Sequence, residues 1–266
     1  GVGNAYVASA GYGMQGSVTK LAGNLDACID RNGNGIIETS VDRHPLDYGQ
    51  DECVIWTADV AQADAVLRSL VVDGGDALHP EGYPWVGAFN ESRLYKLDPI
   101  TGQVLMTVEL DLQPFASVVG RNGKIWLNSI GEAHLQAVRS DTGTTEPVVA
   151  SPVGLRDGCE SAFSSTTDPE GRIWLNGWAC SDAVGYNPST ATWCRIEIPG
   201  NEMVGRGITS DSNGRIWAAV GGDGQSALTW WDMHHCQPGQ SFSLAGLGHR
   251  LNSPPNSLGP TGLNTD

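Results

Sequence analysis

The stretch that decides the fold is Ser210-Asp-Ser-Asn-Gly-Arg-Ile-Trp217. It reads as a polar turn followed by an apolar strand with a tryptophan, and it recurs as Thr167-Asp-Pro-Glu-Gly-Arg-Ile-Trp174 and Val119-Gly-Arg-Asn-Gly-Lys-Ile-Trp126. Counting these with one earlier tryptophan, the repeats are 41, 48 and 43 residues apart, at Trp85, Trp126, Trp174 and Trp217. Repeats of this length, each long enough for four short strands, predict a β-propeller.

Composition indicates an all-β chain with an acidic surface. The 266 residues include 35 glycines and nine tryptophans, and many short β-like runs are separated by Gly, Asn, Asp and Pro. The formal net charge of −15 would repel nucleic acids and anionic membranes, so neither is expected as a partner. No apolar run reaches the about 18 residues of a membrane-spanning helix, so none is predicted.

Aligning the repeats divides the chain into five predicted blades of one domain, 1–266. The second blade has its strands at Leu67–Val72, Pro84–Phe89, Arg93–Leu97 and Gln103–Glu109. Trp56 lies too close to Trp85 to centre another blade, so we place it on the outer strand of the first. The predicted blades are 259–266 plus 1–60, then 66–110, 115–150, 158–199 and 205–244.

The end of the sequence continues into its beginning. Thr265-Asp266 followed by Gly1-Val-Gly-Asn-Ala-Tyr6 aligns with Ser210–Trp217 without a gap. A ring of blades requires such a match because its last and first strands share a sheet. We therefore predict that 259–266 completes the first blade and closes the ring. The same strand could instead close the ring of a neighbouring subunit and so build a filament.

The Gly-Arg-Ile-Trp motif, together with the turns Tyr186-Asn-Pro188 after Trp174 and Leu97-Asp-Pro99 after Trp85, resembles the streptogramin (virginiamycin B) lyase-like β-propeller superfamily. The resemblance covers most of the chain and includes bacterial secreted proteins that carry an Asp-Arg-Asn-Gly-Asn-Gly insertion in the first blade. It implies the propeller fold. It also implies a magnesium-assisted lyase site at the mouth of the ring, although propeller repeats are reused for many purposes.

Six cysteines are spaced as pairs, and no Cys-x-x-Cys motif occurs. Cys28 and Cys53 bracket an acidic insertion, 28–53. Cys159 and Cys180 lie equally far from the turn before Trp174, which places them opposite each other on a hairpin, and Cys194 and Cys236 are left over. We predict three disulfides and an oxidising compartment. The alternative is six buried thiols in a cytosolic protein.

The insertion carries the sharpest motif, Asp30-Arg-Asn-Gly-Asn-Gly-Ile-Ile-Glu38, which follows the first half of an EF-hand-type calcium loop. Val41 replaces the bidentate Glu at the twelfth position. We predict a structural Ca²⁺ bound by Asp30, Asn32, Asn34, the Ile36 carbonyl, Glu38 and Asp42. The alternative is an Asn-Gly-rich turn that binds no ion.

Two further groups of residues are candidates for chemistry. Glu132 and His134 follow the Trp126 strand and could be the carboxylate and base of a lyase site, or a solvated loop pair. Trp178 and Trp231 are less regular than the repeat tryptophans and could stack on a sugar. Neither group makes a convergent acid–base cluster in the sequence.

These observations favour a secreted, extracellular, cell-surface or periplasmic propeller that binds or assembles, without catalysis. Gly1 is not a translation start, so we expect a signal peptide or longer N-terminal region to precede it. The expected partner is a protein, through surface or filament assembly, or a glycan. The alternatives are a streptogramin-type lyase and a carbohydrate-binding propeller.

Overall fold

A computed structural model describes residues 3–41, 44–47, 49–131, 133–151, 162–177, 182–198, 203–222, 225–245 and 250–252. Over these ranges the regular structure consists of strands in five sheets with three short 3₁₀ turns. The chain divides into two compact units, Gly1–Glu109 and Leu110–Asp266. The prediction of an all-β chain is confirmed.

The first unit contains two antiparallel sheets. A three-stranded sheet has the order β1 (Ala5–Ser9), β2 (Ser17–Leu21), β3 (Val54–Asp59). A four-stranded sheet has the order β4 (Leu67–Val72), β5 (Pro84–Ala88), β6 (Arg93–Leu97), β7 (Val104–Glu109). The strands predicted for the second blade agree with β4 to β7 within one residue at each end, and Trp56 lies on the last strand of its sheet, as predicted.

The core of the first unit lies between these two sheets. Val18 from β2 packs with Leu67 from β4, Val86 from β5 and Leu97 from β6, and all four side chains are buried. Burying four such aliphatic side chains contributes on the order of 1.5–3 kcal/mol each before the entropy of ordering is subtracted. The first unit is therefore held together by the faces of two sheets rather than by one sheet alone.

The second unit contains three sheets. The first has the order β11 (Val149–Ala150), β10 (His134–Arg139), β9 (Lys124–Asn128), β8 (Ala116–Val119). The second has the order β12 (Ala162–Thr167), β13 (Ile173–Gly177), β14 (Asp182–Asn187), β15 (Thr192–Glu197), β19 (Ser241–Ser243). The third has the order β16 (Met203–Ser210), β17 (Arg215–Gly222), β18 (Gln225–Asp232), β20 (Arg250–Asn252).

The last two sheets differ from the prediction in their outer strands. The sequence placed the fourth strand of the last blade before residue 244, whereas β20 lies beyond that limit and β19 pairs in parallel with β15. The reason is covalent: Cys236 is bonded to Cys194 on β15, with their Cα atoms 5.3 Å apart. The chain that follows Cys236 therefore runs beside β15 before it returns to its own sheet.

Two of the three predicted disulfides are confirmed, Cys28–Cys53 and Cys194–Cys236. Cys159 and Cys180 lie outside the described residues, and so does the predicted closing strand 259–266.

The repeated tryptophans are held by a carboxylate at the end of the preceding strand. The indole N–H of Trp174 donates to Asp168 Oδ2 at 2.9 Å, and that of Trp217 donates to Asp211 Oδ2 at 3.0 Å. In the first unit, the Trp85 N–H donates to Asp73 Oδ2 at 2.9 Å. The three acceptors, Asp73, Asp168 and Asp211, are called the strand-end carboxylates below.

Each strand-end carboxylate also closes the turn in which it lies. Asp168 Oδ1 accepts the backbone N–H groups of Glu170 and Arg172 at 2.9 and 3.0 Å. Gly171 in the same turn has φ +88°, a conformation that favours glycine. The polar turn and the apolar strand of the repeat are therefore one structural unit, linked by a single carboxylate.

The repeat that begins at Gly120 uses a different solution. A Cβ atom built on Gly120 would lie 2.6 Å from Trp126 Cδ1, so the indole occupies the space that a strand-end carboxylate would need. Trp126 is still buried, with 4 % of its surface exposed. At this position the repeat therefore needs a glycine, because the Trp126 indole leaves no room for an aspartate side chain.

We expect Asp168→Ala to lower the free energy of unfolding by about 1–3 kcal/mol, because it leaves a buried indole N–H and two turn N–H groups without their acceptor. Asp168→Asn, which keeps one acceptor oxygen, should cost less. Urea denaturation measures both.

The matched control is Asp141→Ala, which removes an exposed carboxylate paired with Arg139 at 2.7 Å. Such a surface pair is worth about 1 kcal/mol or less. Equal losses for Asp168→Ala and Asp141→Ala would contradict the role given to the strand-end carboxylates.

Candidate calcium loop

The acidic insertion leaves the three-stranded sheet after β2 and returns to it at β3. The Cys28–Cys53 disulfide brings the Cα atoms of its two ends to 4.4 Å. Beside the disulfide, the Ile29 N–H donates to the Glu52 carbonyl at 2.9 Å, and the Glu52 N–H donates to the Glu38 carbonyl at 2.9 Å. The motif from Asp30 to Glu38 is therefore a loop whose two ends are pinned to the same backbone segment.

The first half of the loop winds around the Asp30 carboxylate. Asp30 Oδ1 accepts the N–H of Gly33 at 2.7 Å, and Oδ2 accepts that of Gly35 at 2.9 Å. Both glycines have positive φ, +72° and +80°, which the tight reversal requires. The sequence alternation of oxygen-bearing residues and glycines therefore produces a coil with Asp30 at its start.

The next side chains repeat the pattern at every second residue. Asn32 Oδ1 accepts the Asn34 N–H at 3.0 Å, and Asn34 Oδ1 accepts the Ile36 N–H at 2.7 Å. The Nδ2 groups of both asparagines donate to the Glu38 carboxylate, at 3.1 and 2.7 Å. Glu38 therefore lies beside Asn32 and Asn34 on one side of the loop.

The chemistry of this donor set fits calcium better than a transition metal. Asp30, Asn32, Asn34 and Glu38 offer oxygen atoms, with two carboxylates to balance a divalent charge. In the part of the chain that the structure describes, no three His, Cys, Asp or Glu side chains group at metal-binding spacing. Calcium also takes amide and peptide oxygens, which such a grouping leaves out. Asp42, the remaining predicted ligand, lies outside the described residues.

The Glu52 carboxylate holds the loop in place by accepting hydrogen bonds from its backbone. Its buried carboxylate accepts backbone N–H groups from Arg31 at 2.7 Å, Asn32 at 3.4 Å and Glu38 at 3.0 Å. The hydrogen bond from the Glu38 N–H, with those from Arg31 and Asn32, lowers the pKa of the Glu52 carboxyl despite its burial. The sequence analysis missed this role of Glu52, since nothing in its spacing marks a carboxylate that binds backbone.

Arg31 ties the loop to the sheet. Its guanidinium donates to the carbonyls of Asp51 at 2.9 Å, Val54 and, at 3.3 Å, Ile55. The last two residues belong to β3, so the loop is joined to the propeller sheet by more than the disulfide. The motif residue between Asp30 and Asn32 is thus an anchor, a role that the calcium-loop pattern does not predict.

The other predicted site residues fall elsewhere. His134 is half-buried on β10, where it pairs with Ala150, while its predicted partner Glu132 lies outside the described residues. Trp178 is also not among the residues described. The lyase pair therefore has one described member.

The prediction that Trp231 could stack on a sugar is wrong. Its side chain is fully buried, 5.7 Å from the Trp174 ring centre, because strand alternation points it into the core of the last two sheets. Its neighbour Trp230 is half-buried, and the Arg215 guanidinium carbon lies 4.9 Å from its ring centre. Trp231 has no face to offer a sugar.

Comparison with solved structures identifies the fold of the chain. A streptogramin B lyase is similar with a TM-score of 0.55 at 13 % identity, over 94 % of this chain and 86 % of that one. A catalytically inactive virginiamycin B lyase from Staphylococcus aureus, solved with quinupristin, is similar with a TM-score of 0.54 at 12 % identity, over 92 % and 75 %. The WD40 repeats of RRP9 are similar with a TM-score of 0.58 at 8 % identity, over 88 % and 60 %.

The chain has a lyase-like β-propeller fold. The predicted resemblance to streptogramin lyase-like propellers is confirmed at the level of the fold, which is what identities this low establish. No protein-family model matches the chain, and no curated protein matches it by sequence. In this fold the candidate calcium loop is an insertion between two strands of one sheet.

Acid should destabilise the candidate calcium loop. Burial raises the pKa of the Asp51 carboxyl, but hydrogen bonds from Ser40, the Cys53 N–H and the Thr39 hydroxyl outweigh it and lower the pKa to about 2. A carboxyl whose pKa is lowered by folding stabilises the folded state fully at pH values above its ordinary pKa of 3.8. That stabilisation is lost as the pH falls through the folded-state pKa of about 2. We expect the protection factors of the insertion amides (the intrinsic exchange rate divided by the observed rate at the same pH) to fall between about pH 4 and pH 2.

Asp51→Asn should remove this part of the pH dependence. Asp26→Asn, which changes an exposed carboxylate just before the insertion, should leave it unchanged. An acid transition that is the same in Asp51→Asn and the parent would show that Asp51 does not carry it.

Proposed function

We propose that this propeller is a secreted or cell-surface binding or assembly module, stabilised by Ca²⁺, that acts without catalysis. The observation that carries the proposal is the loop in which Asn32, Asn34 and Glu38 meet beside Asp30, pinned by the Cys28–Cys53 disulfide. Such a loop has no core of its own. A cation that neutralises its carboxylates would give it one.

The proposed ligands are the side chains of Asp30, Asn32, Asn34 and Glu38, the Ile36 carbonyl and Asp42. With few carboxylates among them, the affinity should lie in the range of extracellular calcium modules, on the order of 10⁻⁴–10⁻³ M. A bound Ca²⁺ would supply the charge that holds these three carboxylates together in one loop. Its role would be structural.

The insertion also supports a binding role, because it exposes large apolar side chains. Ile36 has 65 % of its surface exposed and Val41 has 68 %. The exposed apolar residues of the insertion are Ile29, Ile36, Val41 and Leu46. Apolar side chains gathered in one segment favour contact with a protein. The proposal therefore assigns the protein contact to the calcium-stabilised insertion.

A secreted or cell-surface location is supported by the disulfides. Cys28–Cys53 and Cys194–Cys236 would form and persist in an oxidising compartment. We propose Cys159–Cys180 as the third pair. Over the residues that the structure describes, no helix has the length and hydropathy to cross a bilayer.

Five blades in a closed ring are part of the same proposal. Among the described residues, the sheet of β1 to β3 has three strands, whereas each other sheet has four or five, and β1 lies at its edge. The gapless match between the end and the beginning of the sequence supports 259–266 as its missing strand. Closure by the chain's own strand is proposed, with strand donation by a second copy as the alternative.

Calcium at about 10 mM should raise the free energy of unfolding by about 1–3 kcal/mol, because an ion bound only by the folded loop stabilises it by mass action. Thermal unfolding in Ca²⁺ and in EGTA measures the difference. Asp30→Asn and Glu38→Gln should each abolish the difference between the two conditions.

Asp26→Asn is the matched control, since it removes one exposed charge just before the insertion and should respond to calcium like the parent. If all four proteins unfold identically in Ca²⁺ and EGTA, the calcium proposal is wrong.

If the exposed apolar side chains of the insertion bind another protein chain, replacing them should reduce assembly without lowering stability. Ile36→Ser and Leu46→Ser replace exposed side chains, so the unfolding temperature and its calcium response should be kept. Sedimentation velocity in Ca²⁺ should show smaller assemblies than the parent forms. Leu78→Ser, which changes a residue with 83 % exposure outside the insertion, is the control. Identical sedimentation of parent and variants, with or without calcium, would oppose assembly through the insertion.

The alternative, a streptogramin-type lyase, is favoured by the fold shared with lyases, one of which was solved with quinupristin. A lyase would consume quinupristin and lose that activity in His134→Ala. The proposed module should leave quinupristin intact, which chromatography of the incubated compound measures directly.

A further inference from the structure

The candidate calcium loop contains two asparagines that are each followed by glycine. Asn-Gly is the dipeptide in which an asparagine loses its side-chain amide most readily, because glycine has no side chain to hinder attack by its backbone nitrogen. The chain contains five such pairs: Asn32-Gly33, Asn34-Gly35, Asn122-Gly123, Asn176-Gly177 and Asn213-Gly214. Their surroundings differ, and with them the ease of the reaction.

The reaction is spontaneous and needs only water as a co-reactant. The glycine nitrogen loses its proton and attacks the asparagine Cγ, the Cγ–Nδ2 bond breaks, and Nδ2 takes up that proton and leaves as ammonia. Water then opens the resulting cyclic imide to aspartate, or to isoaspartate, in which the main chain runs through Cβ and Cγ. Either product carries a carboxylate in place of the amide. A fold can therefore slow the reaction by holding the glycine N–H or the asparagine amide.

Burial cannot protect the two pairs in the loop, because residues 32–35 are all exposed. Asn176 is the opposite case. Its side chain is fully buried, and its Oδ1 accepts the Ser164 N–H at 2.9 Å. Protection of the loop pairs depends instead on hydrogen bonds.

One carboxylate holds both glycine nitrogens of the loop. Asp30 Oδ1 accepts the Gly33 N–H at 2.7 Å, and Oδ2 accepts the Gly35 N–H at 2.9 Å. The two side-chain amides that would leave as ammonia donate to the Glu38 carboxylate, at 3.1 and 2.7 Å. A negative charge beside an N–H opposes the loss of its proton, so Asp30 blocks the step that starts the reaction.

Asn213-Gly214 is the same dipeptide without this protection. Gly214 has φ +80°, the value that Gly35 has. Its N–H donates to the backbone carbonyl of Asp211 at 3.1 Å and not to a carboxylate. The exposed Asn213 side chain makes no hydrogen bond within the described part of the chain. This pair is therefore an internal reference for the loop.

We propose that Asn32 and Asn34 form a deamidation site that Asp30 keeps closed. When Asp30 releases the glycine amides, one or both asparagines become aspartate or isoaspartate. Aspartate adds a carboxylate beside Asp30 and Glu38, and isoaspartate lengthens the main chain of the loop. Because the number of charged ligands tunes calcium affinity, conversion to aspartate strengthens the proposed Ca²⁺ site. That consequence, unlike the deamidation itself, rests on the proposed function.

Incubation of the whole oxidised chain at mildly alkaline pH, followed by peptide mass spectrometry, measures the deamidation rate at each asparagine. Asn213 should react about tenfold faster than Asn32 and Asn34, because a hydrogen bond to a charged group must first break in the loop. Asp30→Asn, which removes the charge, should raise both loop rates roughly ten- to a hundredfold and leave the rate at Asn213 unchanged. Chromatographic separation of the aspartate and isoaspartate peptides identifies both products.

Asp51→Asn is the matched control, since it loosens the same insertion at Ser40 and Cys53 and leaves the Asp30 hydrogen bonds in place. Equal acceleration by Asp51→Asn and Asp30→Asn would show that general opening of the insertion admits the reaction, which overturns the role of Asp30. Slower loop deamidation in Asp30→Asn would show that the carboxylate acts as a base, which also overturns it. Loop rates in the parent equal to the rate at Asn213 would do the same.

Calcium is tested separately with Asn34→Asp, which has the sequence of one deamidation product. Its unfolding temperature should rise more in Ca²⁺ than that of the parent. If the loop deamidates as expected but neither protein responds to Ca²⁺, the deamidation site stands and the calcium function fails. If both respond to Ca²⁺ but Asp30→Asn leaves the loop rates unchanged, the calcium function stands and the deamidation site is overturned.

Discussion

A buried indole N–H that needs an acceptor is the interaction on which the repeated sheets depend. Trp85 and Trp174 have no exposed surface, so water cannot satisfy their N–H groups. The strand-end carboxylates meet that need, and because they also accept turn N–H groups, they fix where the first strand ends and the second begins. The tryptophan, the aspartate and the turn are therefore one constraint, which explains why they recur together along the chain.

The exceptions follow from the same constraint. At Gly120 the carboxylate is absent and the indole of Trp126 takes its space. Trp231 is the opposite case, a fully buried indole whose N–H has no partner among the described residues. It lies on the third strand of its sheet, outside the repeated turn, so no strand-end carboxylate is available to it. The unpaired indole N–H destabilises the fold, and the packing of the Trp231 ring against Trp174 offsets this.

The insertion depends on different physics from the sheets. Its side chains are mostly exposed, and its order comes from a disulfide, from Arg31 on the β3 carbonyls and from Glu52 beneath the loop. These anchors use backbone hydrogen bonds, which hold a loop in one shape without a core. Asn32 and Asn34 then remain oriented toward Glu38, although each of these polar side chains would otherwise be solvated by water.

The sequence by itself determined the repeats, the strands of the second blade, two of the disulfide pairs and the coil around Asp30. These features depend on residues close in the chain or on periodic spacing, so their physics is local. Only the tertiary structure decided that Glu52 and Arg31 anchor the loop, that Trp231 is buried, and that β19 leaves its own repeat to pair with β15. Each of those depends on which backbone groups lie beside a side chain after folding, and sequence spacing does not encode that proximity.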